Sequence, residues 1–416
     1  MREISMLKKL KLTIIGISLI SIFFLGFFMC NVSAQTKEIY FPSDDWTTTT
    51  PEDQGMNSKL IDELYEFIDN YNLNIQSILV SRNGYIVNEN YLYECKVIEE
   101  QKFITPSPEI TRKNGTLHVL YSCTKSMVSL LVGIAIDNGY INNVNDTFFG
   151  IFPDKWDPIY GDEMKKNITI EDLLTMRSGF QWDEWTDTFL TWWQYNNSLD
   201  YVLKKPLVSI PGSWFEYSSG NTHLISAIIQ NKTGMKTSEF ARQNLFTPIG
   251  IKDDEWEWDE TSWEWGTGPL ENISYGGWGL FMTPRAMTRI GLLCLTNGNW
   301  NGTQLIPESY ITSATSKHVQ YPPYGYSFWL KNGDYYYAAG YQGQFLVIIP
   351  EYNIVLAIFS ESDYVEPALN QIVNDFIIKA VNSSSNPQIS GYNLLLIIGI
   401  VSLVFFSKIR RKNAIL

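Results

Sequence analysis

The residues of this chain with the clearest chemical potential are Ser122 and Lys125, in the segment Tyr121-Ser-Cys-Thr-Lys-Ser-Met127. A serine and a lysine three residues apart lie on the same face of a helix, where their side chains can interact. An unprotonated lysine amine can take the proton of the serine hydroxyl and leave an alkoxide that attacks a carbonyl carbon. The spacing therefore predicts a serine nucleophile with a lysine base.

The spacing alone is weak, because short motifs recur by chance. A second copy occurs at Ser5 and Lys8, and a solvated serine and lysine at a helix start would give the same pattern. The residues that follow strengthen the prediction. Residues 127–136 are apolar on nearly every face, which predicts a buried helix, and Asp-Asn-Gly at 137–139 is typical of its end. Burial would lower the pKa of Lys125 from its usual value of about 10.4.

The first 34 residues have the pattern of a signal peptide. Three lysines precede an apolar run over residues 12–29, and Val-Ser-Ala follows at residues 32–34. The apolar run is long, so an uncleaved anchor is the alternative.

A second apolar run near the end predicts a transmembrane helix over residues 391–407, preceded by a linker at 383–390. The basic residues of the tail, 408–416, favour a cytoplasmic C-terminus. A buried core helix is the alternative. The pattern predicts a single-pass protein of the cell membrane, anchored by its C-terminal helix, with a catalytic domain at 35–382 outside the cytoplasm.

The charge of the chain argues against nucleic acid as a partner. The formal net charge is −13, and residues 1–34 and 407–416 contribute +3 and +4, so the body carries about −20. Nucleic-acid binding requires basic patches, which such a body is not expected to offer.

The sequence offers little evidence for another nucleophile or for a cofactor. The chain has three histidines, His118, His223 and His318, but no G-x-S-x-G motif for a Ser-His-Asp hydrolase. The histidines are therefore predicted to be structural. No H-E-x-x-H motif or Cys/His cluster indicates zinc, so neither a metal nor a cofactor is expected. Cys123, beside Ser122, is a rival nucleophile, although free cysteines are usually small buried apolar residues.

Hydrophobic periodicity predicts an α+β fold. A helix is expected at residues 57–70, a β-hairpin at 76–88 that turns at Asn83-Gly84, and a helix that opens at Thr283-Pro284 and ends near Leu295. Strands are expected at 335–339, 344–349 and 354–359, and a closing helix at 363–381. These elements predict a sheet built from both chain ends, with a helical lobe inserted between them.

Five segments, in this order, resemble the serine β-lactamase and penicillin-binding protein superfamily. They are Tyr121-Ser-Cys-Thr-Lys-Ser126, Ile168-Thr-Ile-Glu-Asp-Leu-Leu-Thr-Met-Arg-Ser-Gly179, Pro211-Gly-Ser-Trp-Phe-Glu-Tyr-Ser-Ser219, Gly276-Gly-Trp-Gly-Leu-Phe-Met-Thr-Pro284 and Ala339-Gly-Tyr-Gln-Gly-Gln344. Within the branch of class C β-lactamases, the chain is most similar to 6-aminohexanoate-dimer (nylon-oligomer) hydrolases and esterases. The resemblance implies an antiparallel sheet flanked by helices, with an inserted helical lobe.

The resemblance also implies roles for particular residues. Tyr217-Ser218-Ser219 matches the family motif Y-x-N, which makes Tyr217 a proton relay with Lys125 and puts Ser219 in place of the usual asparagine. The backbone N–H groups of Ser122 and Tyr341 would form the oxyanion hole.

The third family motif, K-T-G, is matched at residues 338–340 by Ala-Ala-Gly. Gly340 would still let the substrate backbone approach closely. The lysine that recognises a penicillin carboxylate is missing, which argues against a true β-lactamase.

These observations predict a serine hydrolase for a small-molecule ester, amide or D-amino-acid-like short peptide, through an acyl-enzyme on Ser122. The alternatives are a D,D-carboxypeptidase, or an inactive binding protein on the same scaffold. The acidic, tryptophan-rich segment 253–265 is either a wall for an apolar or cationic ligand or ordinary loop packing. No oligomeric state is predicted.

Overall fold

The computed structural model describes residues 38–92, 117–193, 198–262, 272–331 and 334–384. By packing, the chain divides into Met1–Ile39 and Tyr40–Leu416, and every element below belongs to the second unit. The predicted signal peptide, transmembrane helix, basic tail and linker residues from 385 onward lie outside the described residues. No helix within the described ranges is both long and apolar enough to cross a bilayer.

Thirteen strands lie in the described ranges: β1 (Ile75–Arg82), β2 (Tyr85–Tyr91), β3 (His118–Val119), β4 (Trp256–Trp258), β5 (Glu260–Ser262), β6 (Asn272–Ser274), β7 (Leu280–Met282), β8 (Asn299–Trp300), β9 (Thr303–Gln304), β10 (Trp329–Lys331), β11 (Tyr335–Gly340), β12 (Gln344–Ile349) and β13 (Ile354–Ser360). The main sheet has the order β10-β11-β12-β13-β1-β2 and is antiparallel throughout. Both ends of the domain therefore build one sheet, as predicted. Smaller sheets join β3-β7-β4, β5-β6 and β8-β9.

Twelve α-helices surround these sheets in the described part of the chain: α1 (Ser58–Asn70), α2 (Cys123–Asp137), α3 (Phe148–Ile151), α4 (Ile170–Leu174), α5 (Glu184–Trp193), α6 (Ser198–Lys204), α7 (Ser219–Thr233), α8 (Thr237–Ala241), α9 (Pro284–Leu295), α10 (Glu308–Ala314), α11 (Val365–Gln371) and α12 (Lys379–Ser384). A π-helical stretch at Ile372–Ile378 joins the last two into one closing helical segment. That segment starts two residues later than predicted and continues to Ser384, the second residue of the predicted linker.

The local signals explain why the first elements form where they do. The Asn57 side chain accepts a hydrogen bond from the Lys59 N–H at 3.0 Å and so caps α1. Asn83 and Gly84 both have positive φ, 52° and 83°, which is the requirement of a type I′ hairpin turn between β1 and β2. Thr283 caps α9 with Pro284 at the first helical position. All three predictions are confirmed.

Helices cover both faces of the main sheet. On one face, α1 and the closing helical segment share a hydrophobic core with alternate residues of the strands, such as Val347, Leu356 and Ile358. On the other face, α9 packs against β12, β13 and β1. Because β12 and β13 are buried on both faces, their sequences are continuously apolar.

The inserted lobe lies between β3 and β4 in the sequence and is mainly helical. Its central helix, α7, packs against α2, and α4, α5 and α6 pack around α7. Helix α2 also contacts β11 and β12, so it lies between the lobe and the main sheet. The start of α2, the start of α7 and the end of β11 consequently meet in one region. The α+β fold with an inserted helical lobe is confirmed.

Candidate active site

A cavity of about 580 Å³ opens where the lobe meets the sheet. Its lining includes Ser122, Tyr217, Ser219, Gly340 and Tyr341, all residues that the sequence predicted for the site. Lys125 lies beneath the floor, with its amine in contact with two of these hydroxyls. The structure therefore brings together all six predicted site residues, which are separated by as many as 219 positions in the chain.

Ser122 immediately precedes α2, and Lys125 lies in the first turn of that helix. The Lys125 Nζ is 2.9 Å from the Ser122 Oγ. Tyr121, just before the serine, has a left-handed φ of 46°, a strained conformation for a bulky residue, and such strain is often stored at active sites. The tight turn at Tyr121 aims the serine into the cavity while the lysine remains in the core.

The Lys125 ammonium is enclosed. Its side chain is 1% exposed, and Nζ lies 2.8 Å from the Ser219 Oγ and 2.7 Å from the Gly277 carbonyl oxygen, in addition to Ser122. Burial lowers the pKa of Lys125, and the Glu184 carboxylate, 3.6 Å away, acts in the opposite direction. The desolvated amine is placed to exchange a proton with the serine.

Tyr217 lies on the other side of the amine. Its ring centroid is 4.9 Å from the Lys125 Nζ, and the ring stacks on Trp329. Burial raises the pKa of the Tyr217 phenol well above its ordinary value, and a hydrogen bond with the Ser122 hydroxyl partly offsets this. The phenol is therefore protonated near neutral pH and is held next to both the serine and the lysine.

Glu184 is a site residue that the sequence analysis missed. It opens α5, and its side chain is 31% exposed at the cavity. Its Oε1 accepts from the Ser219 Oγ at 2.5 Å, while its Oε2 accepts from the Ser219 N–H at 2.9 Å and from the Trp182 Nε1 at 2.8 Å. The carboxylate thus caps the start of α7, where the helix dipole favours a negative charge.

Close packing beside Glu184 requires a glycine at position 220. A Cβ there would come within 2.7 Å of the Trp182 ring. The missing side chain lets the indole lie against the first turn of α7, where its N–H reaches Glu184. In the sequence, only the proximity of Trp182 to Glu184, two residues later, could have indicated that Glu184 belongs to the site.

The end of β11 forms the wall opposite the lysine. Ala339 and Gly340 line the cavity where the K-T-G motif of related proteins would lie. A Cβ at Gly340 would be 2.2 Å from the Leu120 carbonyl oxygen, so the strand runs unusually close to the segment that leads to Ser122. The amides of Ser122 and Tyr341 donate no hydrogen bond to any other described residue. Both residues line the cavity, so their N–H groups are candidates for binding a substrate oxygen.

The charged side chains that line the cavity are acidic. Asp363 and Glu366 are exposed at its edge, and Glu184 lies deeper. None of the described residues that line the cavity is basic, and Lys125 lies beneath its floor. Eight of the eighteen lining residues are aromatic: Tyr121, Trp185, Phe189, Tyr217, Trp278, Trp329, Tyr341 and Phe345. The site combines an acidic edge with an aromatic wall.

The tryptophan-rich segment contributes none of these rings. Trp258 is buried and donates to the Tyr275 carbonyl oxygen at 2.9 Å, and Trp256 packs on Phe246. The described part of this segment, through Ser262, therefore has the packing role. Residues 263–265 lie outside the described residues.

The three histidines lie away from the cavity lining. His223 is buried in α7, its Nε2 is 2.6 Å from the Ser198 Oγ, and burial lowers its pKa to about 3. His118 packs on Phe359, and burial lowers its pKa to about 4. His318 stacks on Tyr326. Their surroundings match the structural roles predicted for them.

Cys123 is fully buried next to Ser122, and its thiol lies 3.4 Å from the Gln344 carbonyl oxygen. Burial raises the pKa of the Cys123 thiol far above the neutral range. A buried, protonated thiol is a poor nucleophile. Its surroundings therefore favour Ser122 over Cys123.

Known proteins share this architecture. A putative 6-aminohexanoate-dimer hydrolase from Bacillus anthracis is similar in fold, with a TM-score of 0.59, 19% identity, and coverage of 78% of this chain and 83% of that one. FmtA from Staphylococcus aureus has a TM-score of 0.59 at 16% identity, over 84% and 93% of the two chains. For a penicillin-binding protein from Bacillus halodurans the TM-score is 0.55 at 16% identity, over 74% and 98%.

Sequence comparison identifies the family. Protein flp of Staphylococcus aureus strain MW2 is 28% identical over 181 residues, which are 42% of this chain and only 33% of that protein. The match thus spans about a third of the length of this curated relative. The model of the Beta-lactamase family matches residues 77–376, a range that contains the whole cavity. This chain belongs to the beta-lactamase family.

Proposed function

We propose that this protein hydrolyses small ester, amide or D-amino-acid-like substrates through an acyl-enzyme on Ser122. The observation that carries the proposal is the contact of the buried Lys125 amine with the Ser122 hydroxyl at 2.9 Å. Desolvation favours the neutral amine, which is the form that can act as a base. The presence of Ser122, Lys125 and Tyr217 together at one cavity argues against an inactive binding protein on the same scaffold.

The proposed reaction has two halves. The Ser122 Oγ bonds to the substrate carbonyl carbon while Lys125 takes the hydroxyl proton, and the Ser122 and Tyr341 N–H groups stabilise the oxyanion. The tetrahedral intermediate then collapses, and the alcohol or amine leaves with a proton delivered through Lys125 and Tyr217. Water repeats the sequence on the ester of Ser122 and releases the acid.

The charge of the cavity supports a neutral or cationic substrate. A penicillin or a peptide with a free C-terminal carboxylate would bring a negative charge toward Asp363 and Glu366, with no lysine at position 338 to receive it. A charge near the surface is worth on the order of 1 kcal/mol to a neighbour a few ångströms away, and more where water is excluded. The aromatic wall can also hold an ammonium group through cation–π contacts.

We expect p-nitrophenyl esters with an ammonium or a methyl end on the acyl chain to exceed the carboxylate-ended ester in kcat/KM. The preference should be about tenfold or larger, since about 1.4 kcal/mol corresponds to a factor of ten. In the double variant Asp363→Asn/Glu366→Gln, the cationic and anionic esters should converge. Ser122→Ala should lose hydrolysis of all three, whereas Ser129→Ala, on the same helix, should retain it.

Two results would overturn this proposal. Equal hydrolysis by wild type and Ser122→Ala would remove the serine mechanism. Preferred hydrolysis of the anionic ester, together with acylation of Ser122 by benzylpenicillin, would favour a D,D-carboxypeptidase instead.

A further inference from the structure

Glu184 ends a chain of hydrogen bonds that reaches the nucleophile. The chain runs from the Glu184 Oε1 to the Ser219 Oγ at 2.5 Å, then to the Lys125 Nζ at 2.8 Å, and from there to the Ser122 Oγ at 2.9 Å. Two further hydrogen bonds, from the Ser219 N–H and the Trp182 Nε1, hold the other carboxylate oxygen in place. The carboxylate cannot rotate without losing them.

The chemistry of these groups determines which atom donates and which accepts in each hydrogen bond of this series. An ionised carboxylate only accepts hydrogen bonds, so the Ser219 hydroxyl must give its proton to Glu184. Ser219 can then only accept from Lys125, and the Gly277 carbonyl oxygen also can only accept. A neutral amine has two N–H groups and one lone pair. With both N–H groups committed, the lone pair is left for the Ser122 proton.

We propose that Glu184 is a positioning residue that sets this direction, so that the neutral amine of Lys125 presents its lone pair to Ser122. The inference rests on the proposed function, because it assigns Glu184 a purpose in activating the serine. Without the carboxylate, the Ser219 hydroxyl could turn and donate to the amine, which would occupy the lone pair and leave Ser122 without a base.

Glu184 also sets the charge around the amine. The titratable groups that face Lys125 are Glu184 from α5, Tyr217 from the loop before α7, and Cys123 from its own helix. Burial raises the pKa of both the Tyr217 phenol and the Cys123 thiol, so neither is charged near neutral pH. Glu184 is then the one negative charge acting on the amine among these groups, and it holds the pKa of Lys125 higher than burial alone would.

The sign of the effect follows from the role of the base. Acylation needs neutral Lys125, so its rate rises with pH through the pKa of the lysine. In Glu184→Gln the negative charge is lost and the pKa of Lys125 falls. The rising limb of the profile of acylation rate against pH should therefore move to lower pH. An opposite charge at this distance typically shifts a pKa by about 1 unit or more, so we expect a shift of that size.

The height of the pH profile should change as well. In Glu184→Gln, the oxygen of the new amide can accept the Trp182 and Ser219 N–H groups, but its NH₂ group then faces the Ser219 hydroxyl and donates to it. The Ser219 hydroxyl proton is driven toward Lys125. We therefore expect the plateau of the acylation rate to fall by about 10- to 100-fold, less than the loss expected for removing a general base altogether, because Lys125 itself is still present.

The test measures the rate of fluorophosphonate labelling of Ser122 from about pH 5 to about pH 10, a range that covers the titration of a lysine whose pKa is lowered by burial. Wild type, Glu184→Gln, Glu184→Asp and Asp187→Asn are compared. Asp187 lies on the same helix but pairs with Lys205 and Tyr201, so its loss should weaken the lobe without moving the limb. Glu184→Asp keeps the charge and should keep the limb near its wild-type position with a lower plateau.

The outcomes separate the two claims. If wild type is not labelled at Ser122, the proposed function fails. Suppose that wild type is labelled but Glu184→Gln has the same pH–rate profile, in both the position of its rising part and its maximum rate. Glu184 then has no positioning role. The same follows if the profile of Asp187→Asn moves as far as that of Glu184→Gln. If Glu184→Gln does not fold, a Glu184→Asp limb displaced by a full unit would contradict the inference, and an unmoved limb with a lower plateau would support it.

Discussion

Replacement of Lys125 by methionine should reduce kcat/KM for ester hydrolysis by about 10⁴-fold, at the upper end of what a general base contributes. Methionine has a similar length and fills the space of the lysine stem, but it cannot accept the Ser122 proton. The variant should fold. It removes the cost of burying an amine, while the Ser219 hydroxyl and the Gly277 carbonyl oxygen lose a donor, and these effects oppose each other. Steady-state kinetics and thermal unfolding check both expectations.

A second buried lysine provides the matched control. Lys165 is also 1% exposed, and its amine donates to the Tyr160 and Leu203 carbonyl oxygens, away from the cavity lining. Lys165→Met should lower thermal stability and leave kcat/KM nearly unchanged. If Lys125→Met kept more than a tenth of wild-type activity, or if both variants lost activity alike, the lysine base would have to be abandoned.

Replacement of Gly340 by alanine should reduce kcat/KM by about 100-fold or more and destabilise the domain by about 1–3 kcal/mol. A Cβ would stand 2.2 Å from the Leu120 carbonyl oxygen, which is backbone and cannot swing aside. The end of β11 must therefore move away from the segment before Ser122. Because the proposed oxyanion donors are the N–H groups of Ser122 and Tyr341, that movement separates the two halves of the oxyanion hole.

The appropriate control is a glycine at which an added Cβ would meet no neighbour. Gly139 follows α2, has φ of 73°, and has no atom within 4 Å of a built Cβ. Gly139→Ala should cost about 1 kcal/mol through backbone strain and leave catalysis unchanged. For both variants, kcat/KM and the free energy of unfolding from chemical denaturation are measured. A loss of kcat/KM in Gly340→Ala alone is then due to the displaced end of β11 and not to a general loss of stability. Wild-type activity in Gly340→Ala would mean that the β11 edge does not form the oxyanion hole.

The elements that the sequence predicted well are those whose signals are local. The hairpin at Asn83-Gly84, the cap at Thr283 and the apolar runs of β12 and β13 each carry their signal within a few residues. The Ser122–Lys125 contact is local too, since one helical turn sets it. These features required no knowledge of the tertiary fold.

Glu184 could not be predicted in the same way. Its partners Ser219 and Lys125 lie 35 and 59 positions away, and they meet only because α7 packs against both α5 and α2. The same holds for the cavity wall. The dense tryptophan segment drew attention, yet the described rings that line the site come from scattered positions such as Trp185, Trp278 and Trp329. The sequence left a ligand wall and loop packing equally open for that segment, because which tryptophans line a cavity depends on how distant elements pack.

The acyl-enzyme mechanism on Ser122 is tested most directly by labelling the purified domain with a fluorophosphonate and mapping the adduct by mass spectrometry. We expect a single adduct on Ser122, lost in Ser122→Ala and strongly slowed in Lys125→Met and Tyr217→Phe. Lys165→Met should label at the wild-type rate. A folded wild-type protein that takes up no label, or that carries it on a residue other than Ser122, would contradict the mechanism.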